Sequence, residues 1–149
     1  RTMISHELRE FVDRVMDRHA IDDEDVKMLQ REILSDAVIS RETLDILIAL
    51  DRAILVKAAS FADYLVALTV DFAVWECRPT GVIDRDKAHW LVTTLSAGEG
   101  PTQTAQRIGF EIVREAQSCD EALVSFALRK GDARMRGVSF QPERLFLAS

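Results

Sequence analysis

The chain is poor in the residues that punctuate and cross-link. Its 149 residues include only six Gly and three Pro. That leaves little material for many short strands joined by tight turns and favours long helices. The two cysteines, Cys77 and Cys119, form no Cys-x-x-Cys motif and have no histidine at metal-ligand spacing. Each reads as a small buried hydrophobe, and nothing demands a disulfide. His6, His19 and His89 lie far apart, and no zinc-binding histidine motif, nucleophile elbow, phosphate loop or dinucleotide-binding glycine motif is present. No basic run exceeds two residues and the net charge is −6. The phosphate-neutralising stripe of a nucleic-acid binder is missing, so no nucleic-acid partner is expected. The most apolar stretch, residues 61–75, is shorter than the ~20 residues of a spanning helix and carries Asp63 and Asp71. No membrane span is expected. Residues 4–18 are too charged for a signal peptide, and the expected location is cytoplasmic.

What is present is a globular balance of 48% hydrophobic and 30% charged residues. The pattern predicts a single helical domain over 1–149. Leu8, Phe11, Val12, Val15 and Met16 mark an apolar face on a first helix. Asp22, Asp23, Glu24 and Asp25 suit the positive N-terminus of a second, whose core stripe is Val26, Leu29, Ile33 and Leu34. Ser40 is the expected N-cap of a third helix, with Leu44, Leu47 and Ile48 inward. Ser60 with Asp63 resembles a capping box for a fourth, on which Phe61, Leu65, Leu68, Phe72 and Trp75 share one face. Asp84 is the expected cap of a fifth, Pro101 is placed to start a sixth, and Ser118 with Glu121 forms a box for a seventh. Residues 137–149 form a tail whose Phe140, Leu145, Phe146 and Leu147 are too apolar to stay free, so docking in cis or in trans is expected. The fold expected is all-α, one compact bundle of about seven helices.

Inside that bundle two segments align without gaps. Ala37-Val38-Ile39-Ser40-Arg41-Glu42 matches Gly81-Val82-Ile83-Asp84-Arg85-Asp86. The repeat units cover roughly residues 23–55 and 60–97, each a helix, a turn, a Val-Ile pair, a capping residue and a helix. The Val-Ile pairs of the two turns leave room for a tiny ladder. The turn is also the second half of an EF-hand loop, which needs oxygen ligands at its first, third, fifth and twelfth positions. With Ile39 in the eighth place those positions hold Glu32, Leu34, Asp36 and Thr43; with Ile83 there they hold Glu76, Arg78, Thr80 and Lys87. Leu34, Arg78 and Lys87 are not carboxylate ligands. The two repeats are therefore EF-hand-like helix–turn–helix units without a calcium-ligand set.

On the segments Asp36-Ala37-Val38-Ile39-Ser40-Arg41-Glu42 and Gly81-Val82-Ile83-Asp84-Arg85-Asp86, the chain resembles the tellurite-resistance TerB-like helical domains. Ala37 stands where that pattern usually has Gly, and Thr80 where the second copy would have Asp. The resemblance implies an all-α bacterial accessory domain, with acidic residues that hold a metal in some members.

Three candidate chemistries follow. The leading one is a non-enzymatic domain acting through protein–protein contact, in a bacterial stress response, with a protein partner or as a homodimer. The second is a divalent-metal or small-ligand site on the first turn, using Glu32, Asp36 and Glu42; Glu32 and Asp36 are four apart and share a helix face. The third centres on Asp71, a carboxylate within the most apolar helix, on the side of Tyr64 and Trp75. Buried there it would have a raised pKa and mark a ligand pocket or a hydrolase-like centre. No cofactor is called for beyond that divalent metal.

Overall fold

Most helix starts are set by a short polar side chain that receives a free backbone N–H. In the computed structural model, which describes residues 5–35 and 39–129, Ser5 caps α1 (His6–Arg18) by accepting from Leu8 N at 3.1 Å. Asp22 caps α2 (Asp23–Met28) in a reciprocal box with Asp25. Ser40 caps α3 (Arg41–Ala53), and Asp84 caps α5 (Arg85–Ser96). α4 (Ala59–Val70) is the exception, with Ala58 at its N-cap and no side-chain cap. The expected Ser60–Asp63 box does not form, because Ser60 already lies inside α4 and donates to Asp23. Pro101 does not start α6 (Gln103–Glu115), which is capped by Thr102. The Ser118–Glu121 box is replaced too, since Ser118 is taken into a strand and Asp120 caps α7 (Glu121–Ala127).

Two helices widen before they stop. α2 continues as the π-helical segment Leu29–Ile33, and α4 as Asp71–Glu76. Leu34 N reaches back to Leu29 O and Cys77 N to Phe72 O, each at 2.9 Å. A π-turn adds a residue to the turn and so shifts the phase of everything after it. Phe61, Leu65 and Phe72 stay buried, but Trp75, three residues on, is 39% exposed. The even three-and-four spacing had placed all of these on one core face.

Four two-residue strands pair in parallel: β1 (Ala20–Ile21) with β2 (Val56–Lys57), and β3 (Val82–Ile83) with β4 (Ser118–Cys119). The Val-Ile pair of the second turn does enter a ladder, but its partner is Ser118-Cys119 and not the first turn. Ile39 belongs to no strand, and Val38 lies outside the described residues. The spacing from Ala20 to Val82 equals that from Val56 to Ser118, so the two ladders stand in the same register along the chain. Each strand ends one residue before a helix N-cap: Ile21 before Asp22, Lys57 before Ala58, Ile83 before Asp84 and Cys119 before Asp120. The chain turns the same strand-to-helix corner four times.

The result is an all-α bundle, with seven helices among the described residues. α4 packs against α2, α3 and α6, and α6 against α4, α5 and α7. Phe11, Leu29, Leu47, Phe61, Leu65, Leu91, Ile108, Ile112 and Phe126 are fully buried between them. α6 and α7 approach closely at Gly109, where a Cβ would sit 2.8 Å from the Phe126 ring. Cys77 and Cys119 are free and half-buried; burial pushes the Cys119 thiol up to about 11. Among the described residues no helix is long and apolar enough to cross a membrane. The tail at 137–149 lies outside the described residues.

Candidate functional site

The π-helical end of α4 and the outer face of α6 form the walls of a groove of about 490 Å³. Val66, Ala67 and Val70 line it from α4, and Trp75 and Asp71 from the π segment. Arg107, Glu111 and Glu115 recur every four residues on α6, so they form one row along the opposite wall. Asp63 completes the lining and pairs with Arg107 at 2.9 Å. The Trp75 indole donates to Glu115 Oε2 at 3.1 Å, which fixes the ring across the groove. The site is thus an apolar floor with an acidic rim and one exposed aromatic edge.

Of the sequence-derived pocket residues, Asp71 and Trp75 meet here and Tyr64 does not. Tyr64 is half-buried against the core, where burial raises its phenol above 10.0. Asp71 is exposed rather than buried, because it sits on the solvent side of the widened turn. The perturbed acid is its neighbour Glu76. A hydrogen bond with Asp71 is the main cause, followed by burial and by repulsion from the same carboxylate, and together they raise Glu76 above 4.5. Straight α-helical spacing would not bring these two acids, five residues apart, onto one edge; the π-turn does. Among the described residues the groove lining holds no His, Ser or Cys beside Asp71.

The metal set proposed for the first turn is described only in part, since Asp36 lies outside the described residues. Glu32 is exposed on the π-helical end of α2, in a shallow hollow of about 210 Å³ that it shares with Lys27 and Arg31. Glu42 is exposed in the first turn of α3 and is not among the residues lining that hollow. Among the described residues no three His, Cys, Asp or Glu side chains converge to hold a metal ion.

The second turn contains a residue whose role the sequence did not reveal. Lys87, at the twelfth place of the loop, is 1% exposed. Its ammonium donates to Ala73 O, Pro79 O and Val82 O, each at 2.7 Å. Three donors meet three carbonyls, so the cation is fully satisfied without a carboxylate. Burial pushes it below 10.5. Ala73 belongs to the same π segment as Asp71 and Trp75, so Lys87 anchors one wall of the groove from behind. The only sequence signal was a lysine where the loop pattern wants an acid.

Comparison with family models, with curated proteins and with solved structures returns no match for this chain.

Proposed function

We propose that the chain is a non-enzymatic helical interaction domain, similar in kind to the TerB-like domains of bacterial stress responses. In this reading the α4–α6 groove receives a basic and apolar segment of a protein partner. The observation that carries it is the exposed Trp75 edge set among Asp71, Glu111 and Glu115. Tryptophan is enriched among the residues that anchor protein contacts. The acids of the lining outnumber its one base, although Arg107 pairs with Asp63 and Arg114 with Glu111, and such an excess of one sign selects oppositely charged segments. The test is binding of fluorescent peptides that carry Arg and aromatic residues in alternation, measured by anisotropy. Saturable, salt-sensitive binding that weakens at least about tenfold in Trp75→Ala, with an unchanged melting curve, is the expected result. Binding that ignores Trp75→Ala, or no binding, overturns the reading.

A second copy of the chain is the other partner that an observation favours. Leu55 is 86% exposed and Val56 67%, beside a surface hollow of about 690 Å³ lined by Ala49, Ala53 and Pro101. A homodimer built there buries Leu55, and light scattering of Leu55→Glu at two concentrations tests it. A mass identical to that of the unaltered chain at both concentrations counts against the dimer.

A further inference from the structure

Among the described residues, six of the seven helices begin under a side-chain cap, and α4 does not. Ala58 holds the cap position in an extended conformation, with φ −66° and ψ 146°, but offers no side-chain acceptor. Ser60, inside the first turn, donates to Asp23 instead. The leading N–H groups of α4 are left to an acceptor outside the helix. We propose that they act together with the buried carboxylate of Asp51 to bind a small zwitterion, an α-amino acid with an apolar side chain.

Both features open on one hollow of about 450 Å³, separate from the groove of Trp75. The start of α4 lines it through Ala58, Ala59 and Ala62, and the start of α6 faces it through Thr102 and Gln103. Asp51 lines it from α3. Its volume lies in the range of small-molecule sites.

A helix start alone accepts any anion. Asp51 narrows the class. Its side chain is buried, and Oδ2 accepts from the Thr102 hydroxyl at 2.6 Å. Oδ1 has no hydrogen-bond donor. The Lys57 ammonium donates to Asp51 O and Ile54 O and comes only to 3.7 Å of Oδ1. A buried carboxylate oxygen without a donor is costly, and it points to a ligand that brings one. A plain anion would be repelled by Asp51, and a plain amine would leave the start of α4 unmet. A carboxylate with an ammonium on the neighbouring carbon answers both. The carboxylate accepts from the N–H groups of α4, where the helix dipole favours negative charge. The ammonium donates to Asp51 Oδ1. Arg52 and Lys57 outnumber the one acid of the lining, which suits the ligand carboxylate. Leu55, 86% exposed, offers apolar contact to the ligand side chain from the same lining.

The experiment titrates the full chain, labelled with ¹⁵N, with L-leucine and with its two halves. 4-Methylpentanoate lacks the ammonium, and 3-methylbutylamine lacks the carboxylate. The expected result is a saturable shift of the Ala59 and Ser60 amide signals by L-leucine, with each half bound at least about tenfold more weakly. No saturable shift with L-leucine overturns the proposal. So does a half that binds as tightly as L-leucine, since the acid would exclude Asp51 and the amine would exclude the helix start. Ala58→Asp supplies the missing cap and is expected to raise the melting temperature while it abolishes the L-leucine shifts. L-Leucine binding that survives Ala58→Asp overturns the proposal. Asp51→Asn is expected to weaken L-leucine at least about tenfold and to leave 4-methylpentanoate unchanged. Equal loss of both ligands overturns the role of Asp51. Ala58→Asp decides the matter if Asp51→Asn fails to fold.

Discussion

Two corners of the molecule share one local design and bury opposite charges at the same position. At the first, β1 leads through the cap Asp22 into α2, and Asp25 is the third helical residue. At the second, β3 leads through the cap Asp84 into α5, and Lys87 is the third helical residue. Both caps accept from that residue's backbone N–H, at 2.8 Å and 2.9 Å. Asp25 is 4% exposed and Lys87 1%. A buried charge needs partners of the opposite polarity, and each corner supplies them from what its surroundings offer. Asp25 accepts from Asp22 N at 2.9 Å and from the Arg18 guanidinium. That arrangement agrees with the helix dipole. Lys87 opposes the dipole and is held instead by three carbonyls, two from the turn and one from the π segment. The frame fixes where the side chain goes, and the neighbours fix which charge it must have. The carboxylate of the first corner ties the start of its own helix to Arg18 at the end of α1, whereas the ammonium of the second holds the wall that presents Trp75.

The largest effect is expected from removing the ammonium. Lys87→Met takes a donor from Ala73 O, Pro79 O and Val82 O, of which Pro79 O keeps the Val82 N–H at 3.3 Å; at about 1–3 kcal/mol for each orphaned group the loss is about 2 kcal/mol or more. Urea unfolding followed by circular dichroism reads it, and Trp75 fluorescence is expected to change in the folded variant. Lys87→Asp copies the residue of the first corner and is expected to be worse still, because it faces carbonyls with a carboxylate. Equal tolerance of Met and Asp would refute the role given to the three carbonyls. Asp25→Ala at the first corner removes one half of a capping box and the partner of Arg18. The expected loss is smaller, about 1–2 kcal/mol, with Trp75 fluorescence unchanged.

Gly81 separates backbone from charge within the second corner. Its φ is +78°, and a Cβ would lie 3.0 Å from the Gln117 side chain. Gly81→Ala is expected to cost about 1 kcal/mol through the left-handed backbone, visible as a lower urea midpoint with an unaltered slope. The smallest effect is at Glu76, the last residue of the π segment. The Glu76 value lies above 4.5 in the fold, so its contribution to stability is complete below that pH and is lost as pH rises through the raised value. Glu76→Gln flattens stability against pH in that window. It is expected to add a few tenths of a kcal/mol at neutral pH, since both acids are well solvated. A loss of stability in Glu76→Gln at neutral pH would contradict repulsion between the two carboxylates there.

The sequence made the caps Asp84 and Ser40 legible, because a short acceptor before an apolar period has one obvious use. It misled at Ser60 and Ser118, where an equally good capping residue lies beside a strand that sets the helix start first. The position of Trp75 was hidden for a different reason. A π-turn leaves no mark in a three-and-four spacing, yet it rotates the ring out of the core and brings Asp71 to Glu76. Asp71 and Trp75 do line one groove, but through a turn geometry that the residue spacing does not carry. The α6 wall at Arg107, Glu111 and Glu115 was missed, since a charged row on an amphipathic helix reads as a solvated face until another helix lies beside it. Lys87 was noticed only as a missing ligand. Its partners are backbone carbonyls, which carry no sequence signal at all.

Lys87 is an internal cation of the second turn and the anchor of the groove wall. Nitrogen-15 spectra of the lysine ammonium groups test it most directly. The Lys87 signal is expected to persist at neutral pH with slowed proton exchange while that of exposed Lys27 is broadened, and millimolar calcium is expected to leave it unchanged. A Lys87 ammonium that exchanges as fast as Lys27, or that calcium displaces, would contradict it.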